Sequence, residues 1–267
     1  MPRRIDALTV YGVAFLVFLY APVLLLPMFS FNDNTFAVFP LVGFTTSAYV
    51  ELANNDSLLN ALRNSLIVGT FVSIFSTIFG LLAAMAATRY RMPGRGPVMG
   101  VIMLPLVVPS IILAVALLIV LRKVFDIPLT LWTVGAGHIL LCVPFSMLVL
   151  MSRLEGFDKS LEEAANDLGE NGWMTFWRVT FPLALPGIVS SLLMAFTVSF
   201  DEYVIAFFLS GIDQTLPIFL WSQLRFPERL PMTEALGSCI LFASTIIVVA
   251  SELLRRRGVK SIRPTGL

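Results

Sequence analysis

Of the 267 residues, 57% are hydrophobic, only 13% are charged, and the net charge is +1. A soluble globular chain carries about 25% charged residues, so this composition excludes an ordinary water-solvated domain and points to a chain solvated by lipid. The balanced charge leaves no global field to attract nucleic acid or an acidic partner.

A membrane helix needs about 20 mainly apolar residues, and six stretches supply them. The first, Val10–Phe31, follows Arg3 and Arg4 as a signal peptide would. It is too long for a signal core and has no small-x-small cleavage site after it, so it is expected to be retained, with Pro22 and Pro27 kinking it. An outside loop, Asn32–Asn64, leads to the second span, Ser65–Thr88. The third, Val98–Leu121, contains Pro105 and Pro109 and is either a broken helix lining a pathway or a plain kink. The fourth is Leu131–Met151. Its His138 lies four residues before Cys142, but no second ligand pair exists, so a packed histidine is preferred to half a metal site. Cys142 and Cys239 both fall in apolar runs and read as small buried hydrophobes. The fifth and sixth spans are Ile188–Leu209 and Ala235–Ser251, the last extendable past Glu252 by Leu253 and Leu254. Trp132 and Trp221 are placed as aromatic anchors at the outer interface, Trp221 alternatively bordering a substrate entry. The expected fold is an all-α integral membrane protein, a single transmembrane domain over residues 1–267.

Lys and Arg sort by side. Thirteen lie on the side of Arg3, Arg4, Arg89, Arg91, Arg95, Arg153, Lys159, Arg178 and the Arg255–Arg263 tail, against five at Arg63, Arg122, Lys123, Arg225 and Arg229. The positive-inside rule then places both termini in the cytoplasm, as an even number of spans requires.

On the cytoplasmic side, the segment Ser152–Gly187 is too long to be a plain connector. Ser160 is the expected N-cap of a short helix, with Glu163 at the capping-box spacing and Gly169 as its stop. A second short helix through Trp173, Phe176 and Trp177 is expected to end at Pro182. Nowhere does the chain hold a Gly-x4-Gly-Lys-[Ser/Thr] nucleotide loop, so any ATP must bind another chain.

Glu163-Ala164-Ala165, three residues, Gly169, nine residues, then Val179-x-Phe181-Pro182 resembles the EAA loop of ABC importer permeases, E-A-A-x3-G-x9-I-x-L-P. Val replaces Ile and Phe replaces Leu. Asn64-Ser65, the run Ser152–Phe157, the run Ser199–Tyr203 and the stretch from Leu216-Pro217 to Glu234-Ala-Leu look like the spermidine/putrescine branch, so nearly the whole chain is covered. The resemblance implies a permease that works by alternating access in the bacterial inner membrane and is not itself an enzyme. It implies an ATPase dimer carrying ATP and Mg, a second homologous permease subunit in a heterodimer, and a periplasmic binding protein. It also implies that Glu163, Ala164, Ala165 and Gly169 contact the ATPase.

Only the fifth span carries charge well inside it. Asp201 and Glu202 lie roughly 20 Å from its cytoplasmic end at the rise of an α-helix. A carboxylate near the bilayer centre costs about 2.5–3.5 kcal/mol, so it faces a cavity or a partner. Thr197 and Asp201 share a face with Ser190, while Ser199 and Glu202 line the adjacent one. Such a stripe suits an organic cation; the alternative is a structural pair with a partner subunit. Polyamine permeases tend to carry an acidic residue after the proline of the third span, where this chain has Ser110 after Pro109. That departure leaves open a less charged cation, an opine, an amino-acid-like compound or an aminophosphonate. A secondary transporter is the more distant alternative.

Overall fold

The computed structural model describes residues 7–90 and 93–260, leaving aside the side chains of 247, 248 and 250–260. Arg3, Arg4, Arg91 and Arg263, and the side chains of Arg255, Arg256, Arg257 and Lys260, on which part of the sidedness argument rests, lie outside this description. Among the described residues helices are the regular elements, joined by turns and loops, and one isolated bridge pairs Asn32 with Phe44.

The chain forms two compact units, one comprising the residues up to Asp56 and from Leu220 on, the other Ser57–Phe219. The first unit holds α1 (Ala7–Ser30), which continues through Pro22 and Pro27, and the short α2 (Ser47–Ala53). In the connection between them Phe31 stacks on Phe44 at 4.9 Å and on Tyr49 at 4.8 Å, and Tyr49 shares a 2.7 Å hydrogen bond with Ser30.

The second unit begins with α3 (Asp56–Arg89), which starts well before the predicted Ser65 because Asp56 can occupy the first turn. The third span is broken rather than kinked. α4 (Arg95–Val107) and α5 (Ser110–Ile119), the latter continued by a π-helical turn to Val124, meet at 104°. Pro109 forces the preceding Val108 into extended backbone, ψ 129°. α6 (Leu131–Glu155) starts on a capping box between Thr130 and Thr133.

The expected long loop at Ser152–Gly187 is largely helix. α6 runs to Glu155, α7 covers Ser160–Asp167, and α8 (Gly172–Thr175) passes through a π-helical turn, Phe176–Thr180, directly into α9 (Phe181–Asp201). Pro182 therefore does not end a helix as predicted. It sits in the first turn of α9, where its missing N–H is tolerated. The predicted continuation of the fifth span to Leu209 also fails: α9 stops at Asp201, and α10 (Val204–Leu209) is a separate helix. α11 (Leu216–Gln223) and α12 (Leu230–Lys260) follow, and α12 packs on α1 and α2 in the first unit.

Four described helices are long and apolar enough to cross a membrane: Ala7–Ser30, Asp56–Arg89, Leu131–Glu155 and Gly172–Asp201. The bent α4–α5 pair makes a fifth. α12 has 31 residues; the side chains of Leu253 and Leu254, which were to extend the sixth span, are outside the description. Cys142 is buried as expected, whereas Cys239, in α12, is exposed.

In the second unit α6 and α9 run antiparallel. Leu150 faces Gly187, Cys142 faces the Ala195 carbonyl and His138 faces Ser199. α3 closes on α6 at Gly80, where a Cβ would lie 2.6 Å from Ser146 Cβ and 2.8 Å from the Met147 amide. Nothing comes within 4 Å of a Cβ at Gly100 in α4. Gly80→Ala is expected to cost about 1–3 kcal/mol through overpacking and to lower the thermal unfolding temperature in detergent, while Gly100→Ala leaves it unchanged or slightly raised.

Candidate functional site

Two places in the second unit gather the residues singled out in the sequence. The first surrounds α7. Ser160 is not its cap: Lys159 occupies the cap position, and the Ser160 amide donates to Asp158 Oδ1 at 3.0 Å. Hydrogen bonds from the Ser160 backbone and side chain hold the Asp158 carboxyl below its ordinary value. The bond from the Ser160 amide to the Asp158 carboxylate is thus in place at neutral pH and is lost as pH falls through that lowered value. At the other end Gly169 has φ 90°. Its amide donates to the Asn166 carbonyl and that of Glu170 to the Ala165 carbonyl, a Schellman ending that a β-branched residue cannot adopt without strain.

Of the motif residues, Glu163, Ala164 and Gly169 are exposed and Ala165 is half-buried. Leu161 and Leu168 are exposed with Ala164, and Leu168 is 86% accessible, so α7 presents an apolar strip outward. Trp173 and Trp177 are also exposed, packed edge to face at 5.8 Å, with Trp177 against Phe181 at 4.8 Å.

The residue that ties α7 to the body is Glu162, which sequence reasoning passed over in favour of Glu163. Its carboxylate pairs with Arg89 Nε at 2.8 Å and accepts from Thr180 Oγ1 at 2.8 Å. Arg89 Nη1 also donates to the Leu154 carbonyl at 3.3 Å. One ion pair therefore joins the end of α3, the end of α6, α7 and the entry to α9. The available signal was an arginine closing a predicted span, but nothing in the sequence assigns its partner 73 residues away.

The second place is the break after α9. Asp201 is its last residue and is exposed, without an ion pair among the described residues. It is not deep within a continuous helix, as predicted, but at a helix C-terminus, where the peptide dipoles already present negative potential. Thr197 and Ser190 are exposed on the same face, their hydroxyls donating to their own helix at Leu193 and Pro186. Glu202 does different work: its Oε1 accepts from the Val204 and Ile205 amides and caps α10. Ser110 opens α5, which packs on α10, and no hydrogen bond joins it to Asp201. Among the described residues no group of His, Cys, Asp or Glu is placed to hold a metal, and His138 is buried. Trp132 and Trp221 are both exposed.

Sequence reasoning also passed over a cavity of about 440 Å³ in the first unit, lined by Asp33, Glu51 and Glu228 beside Asn32, Asn34 and Thr45. Its residues come from three separate stretches, which no local pattern connects.

Residues 76–260 match the family described as the binding-protein-dependent transport system inner membrane component. The chain belongs to that family of permeases. It is 36% identical over 251 residues to the spermidine/putrescine transport system permease protein PotC of Escherichia coli K12, covering 94% of each chain. It is 35% identical over 257 residues to the putrescine permease PotI of the same organism, covering 92% of this chain and 90% of that one. A solved bacterial ABC transporter that imports the acidic polysaccharide alginate shares the fold, with TM-score 0.71 at 18% identity over 96% of this chain and 99% of that one. The permease is thus an inner-membrane ABC importer component homologous to polyamine permeases along nearly its whole length.

Arg89 and Glu162 are only 10% and 20% exposed, so removing one leaves the other poorly compensated, a loss of about 3–5 kcal/mol when burial is complete. Glu162→Ala in this permease is expected to free α7 and to make residues 156–171 protease-sensitive in detergent, while Glu163→Ala leaves the digestion pattern unchanged.

Proposed function

We propose that this permease is the membrane-spanning subunit of an ATP-driven importer of a small polyamine-like cation. It crosses the inner membrane six times, α12 being the sixth span, with both termini in the cytoplasm. The observation that carries the substrate reading is Asp201, an exposed carboxylate without a pair among the described residues, placed at the negative end of α9. A carboxylate is disfavoured there unless a cation joins it. The acidic cavity of the first unit has the same charge preference. The relatives named for spermidine and putrescine transport support the same class of solute.

ATP and Mg act on a separate ATPase dimer, and a second, homologous permease completes the pathway as a heterodimer. The exposed strip of Leu161, Ala164 and Leu168, flanked by Glu163, Ala165 and Gly169, is the surface the ATPase grips. Closure of the ATPase on ATP shifts α7. Glu162 passes that shift to Arg89 and Thr180, and so to the helix that runs unbroken from Gly172 to Asp201. That helix is about 45 Å long at 1.5 Å per residue, so it can relay motion from the ATPase to the cation pathway. A periplasmic binding protein delivers the solute. Ser110, where the polyamine branch tends to have an acid, favours a second reading within this class, a cation with one fewer positive charge.

Two variants test the two ends of the relay. Asp201→Asn keeps shape and removes charge; uptake of radiolabelled putrescine is expected to fall at least tenfold while recovery of the complex and its ATPase activity persist. Loss of assembly in proportion to uptake would instead make Asp201 a structural partner. At Gly169 the Cβ position is open, so only the positive φ restricts the choice. Gly169→Asn, which tolerates that conformation, is expected to transport, whereas Gly169→Val inserts normally but hydrolyses ATP without uptake.

A further inference from the structure

We propose that His138 is a positioning residue for the cation pathway: through Ser199 it fixes the last turn of α9 so that Asp201 is held on the opposite, open face. The inference rests on the reading that Asp201 meets the solute.

His138 lies in the middle of α6 and is 1% exposed, with its Nδ1 2.9 Å from Ser199 Oγ. This is the last rung of the antiparallel α6–α9 contact before α9 ends two residues later. The rung before it is weak, Cys142 Sγ at 3.8 Å from the Ala195 carbonyl. Helical residues two apart point about 200° from each other. A contact that pins Ser199 inward therefore aims Asp201 outward, and the two residues are indeed buried and exposed respectively.

The end of a helix has no internal partners for its final carbonyls and frays unless it is anchored. Glu202 does not anchor α9, because its carboxylate is spent on the amides of α10. Thr197 bonds only within its own helix. Among the described residues, Ser199 makes the one side-chain hydrogen bond from this last turn to another helix.

The far side of the break is seated on the same stretch of α6. Thr133 Oγ1 donates to the Leu209 carbonyl at 2.7 Å. A Cβ at Gly137 would come within 2.7 Å of Ile205 Cγ2 and 2.8 Å of Leu209 Cδ1, so α10 lies against bare backbone there. α6 thus grips both flanks of the break, α10 by close packing and α9 by His138. An imidazole at this place leaves Nε2 buried with no hydrogen-bond partner among the described residues, a cost that leucine would avoid. What the ring offers in return is the Nδ1 bond.

The test compares Ser199→Ala, His138→Leu and His138→Asn in the assembled importer, with and without Asp201→Asn, reading complex recovery and the half-saturation concentration for radiolabelled putrescine. Ser199→Ala and His138→Leu are expected to raise half-saturation about fivefold to tenfold, the scale of one lost buried hydrogen bond, with normal recovery. His138→Asn, whose amide can take the place of Nδ1, stays near the parent value. Ser199→Ala adds nothing once Asp201 is Asn. Should His138→Leu fail to assemble, Ser199→Ala alone carries the test, since it removes the bond with one atom. A weakened Asp201→Asn beside a Ser199→Ala of parental half-saturation would overturn the inference alone, as would His138→Asn behaving like His138→Leu. An Asp201→Asn with parental uptake would overturn the pathway reading and this inference together.

Discussion

Hydrocarbon offers no partner to a backbone amide or carbonyl, and a group left unpaired there costs several kcal/mol. Unbroken helices meet that demand by themselves; the places where this chain departs from helix have to meet it locally. At Val108–Pro109 the Val108 amide still reaches the Leu104 carbonyl, and the Pro109 carbonyl takes the amides of Ile112 and Leu113. After Asp201 the Glu202 carboxylate takes two amides and the Tyr203 carbonyl takes that of Phe207. The π-helical turns at Val120–Val124 and Phe176–Thr180 shift the helix register without interrupting it.

These local hydrogen bonds let the second unit stay helical along most of its length and still carry polar groups. Between α7 and Asp201 lies a single helical rod. Its start is tied by Glu162 and Arg89 to the ends of α3 and α6, and its end by Ser199 to the middle of α6. Small residues let the rods approach closely, Gly80 against Ser146 and Gly187 against Arg153. In the proposed cycle, a displacement applied at α7 has no loose joint in which to dissipate before it reaches the carboxylate.

Much of this was legible in the sequence, because a run of apolar residues and a helix in lipid are nearly the same statement. Gly169 was legible too, since a positive φ leaves few alternatives to glycine. Less visible was where helices break. At Val108–Pro109 the prolines signal either a break or a kink, but hydropathy, which averages over about 19 residues, passes smoothly across Glu202–Tyr203, which is why Asp201 was placed within a span rather than at its end. Pro182 was misread as a stop because its position relative to the helix start depends on α8 joining α9. Glu162 was overlooked because the motif emphasises its neighbour, and which of two adjacent glutamates faces the body is decided by Arg89, far away in the chain.

The central claim is that α7 is the cytoplasmic face an ATPase grips, and labelling from either side of the membrane tests it most directly. Single cysteines at Ala164 and at Thr35, in a chain whose Cys142 and Cys239 are replaced by alanine, would be exposed to a membrane-impermeant maleimide. The account predicts that the Thr35 cysteine reacts in intact cells. It predicts that the Ala164 cysteine reacts only after the inner membrane is opened, and is then shielded when the ATPase subunit is co-expressed. Reaction of the Ala164 cysteine in intact cells, or full reactivity in the presence of the ATPase, would contradict it.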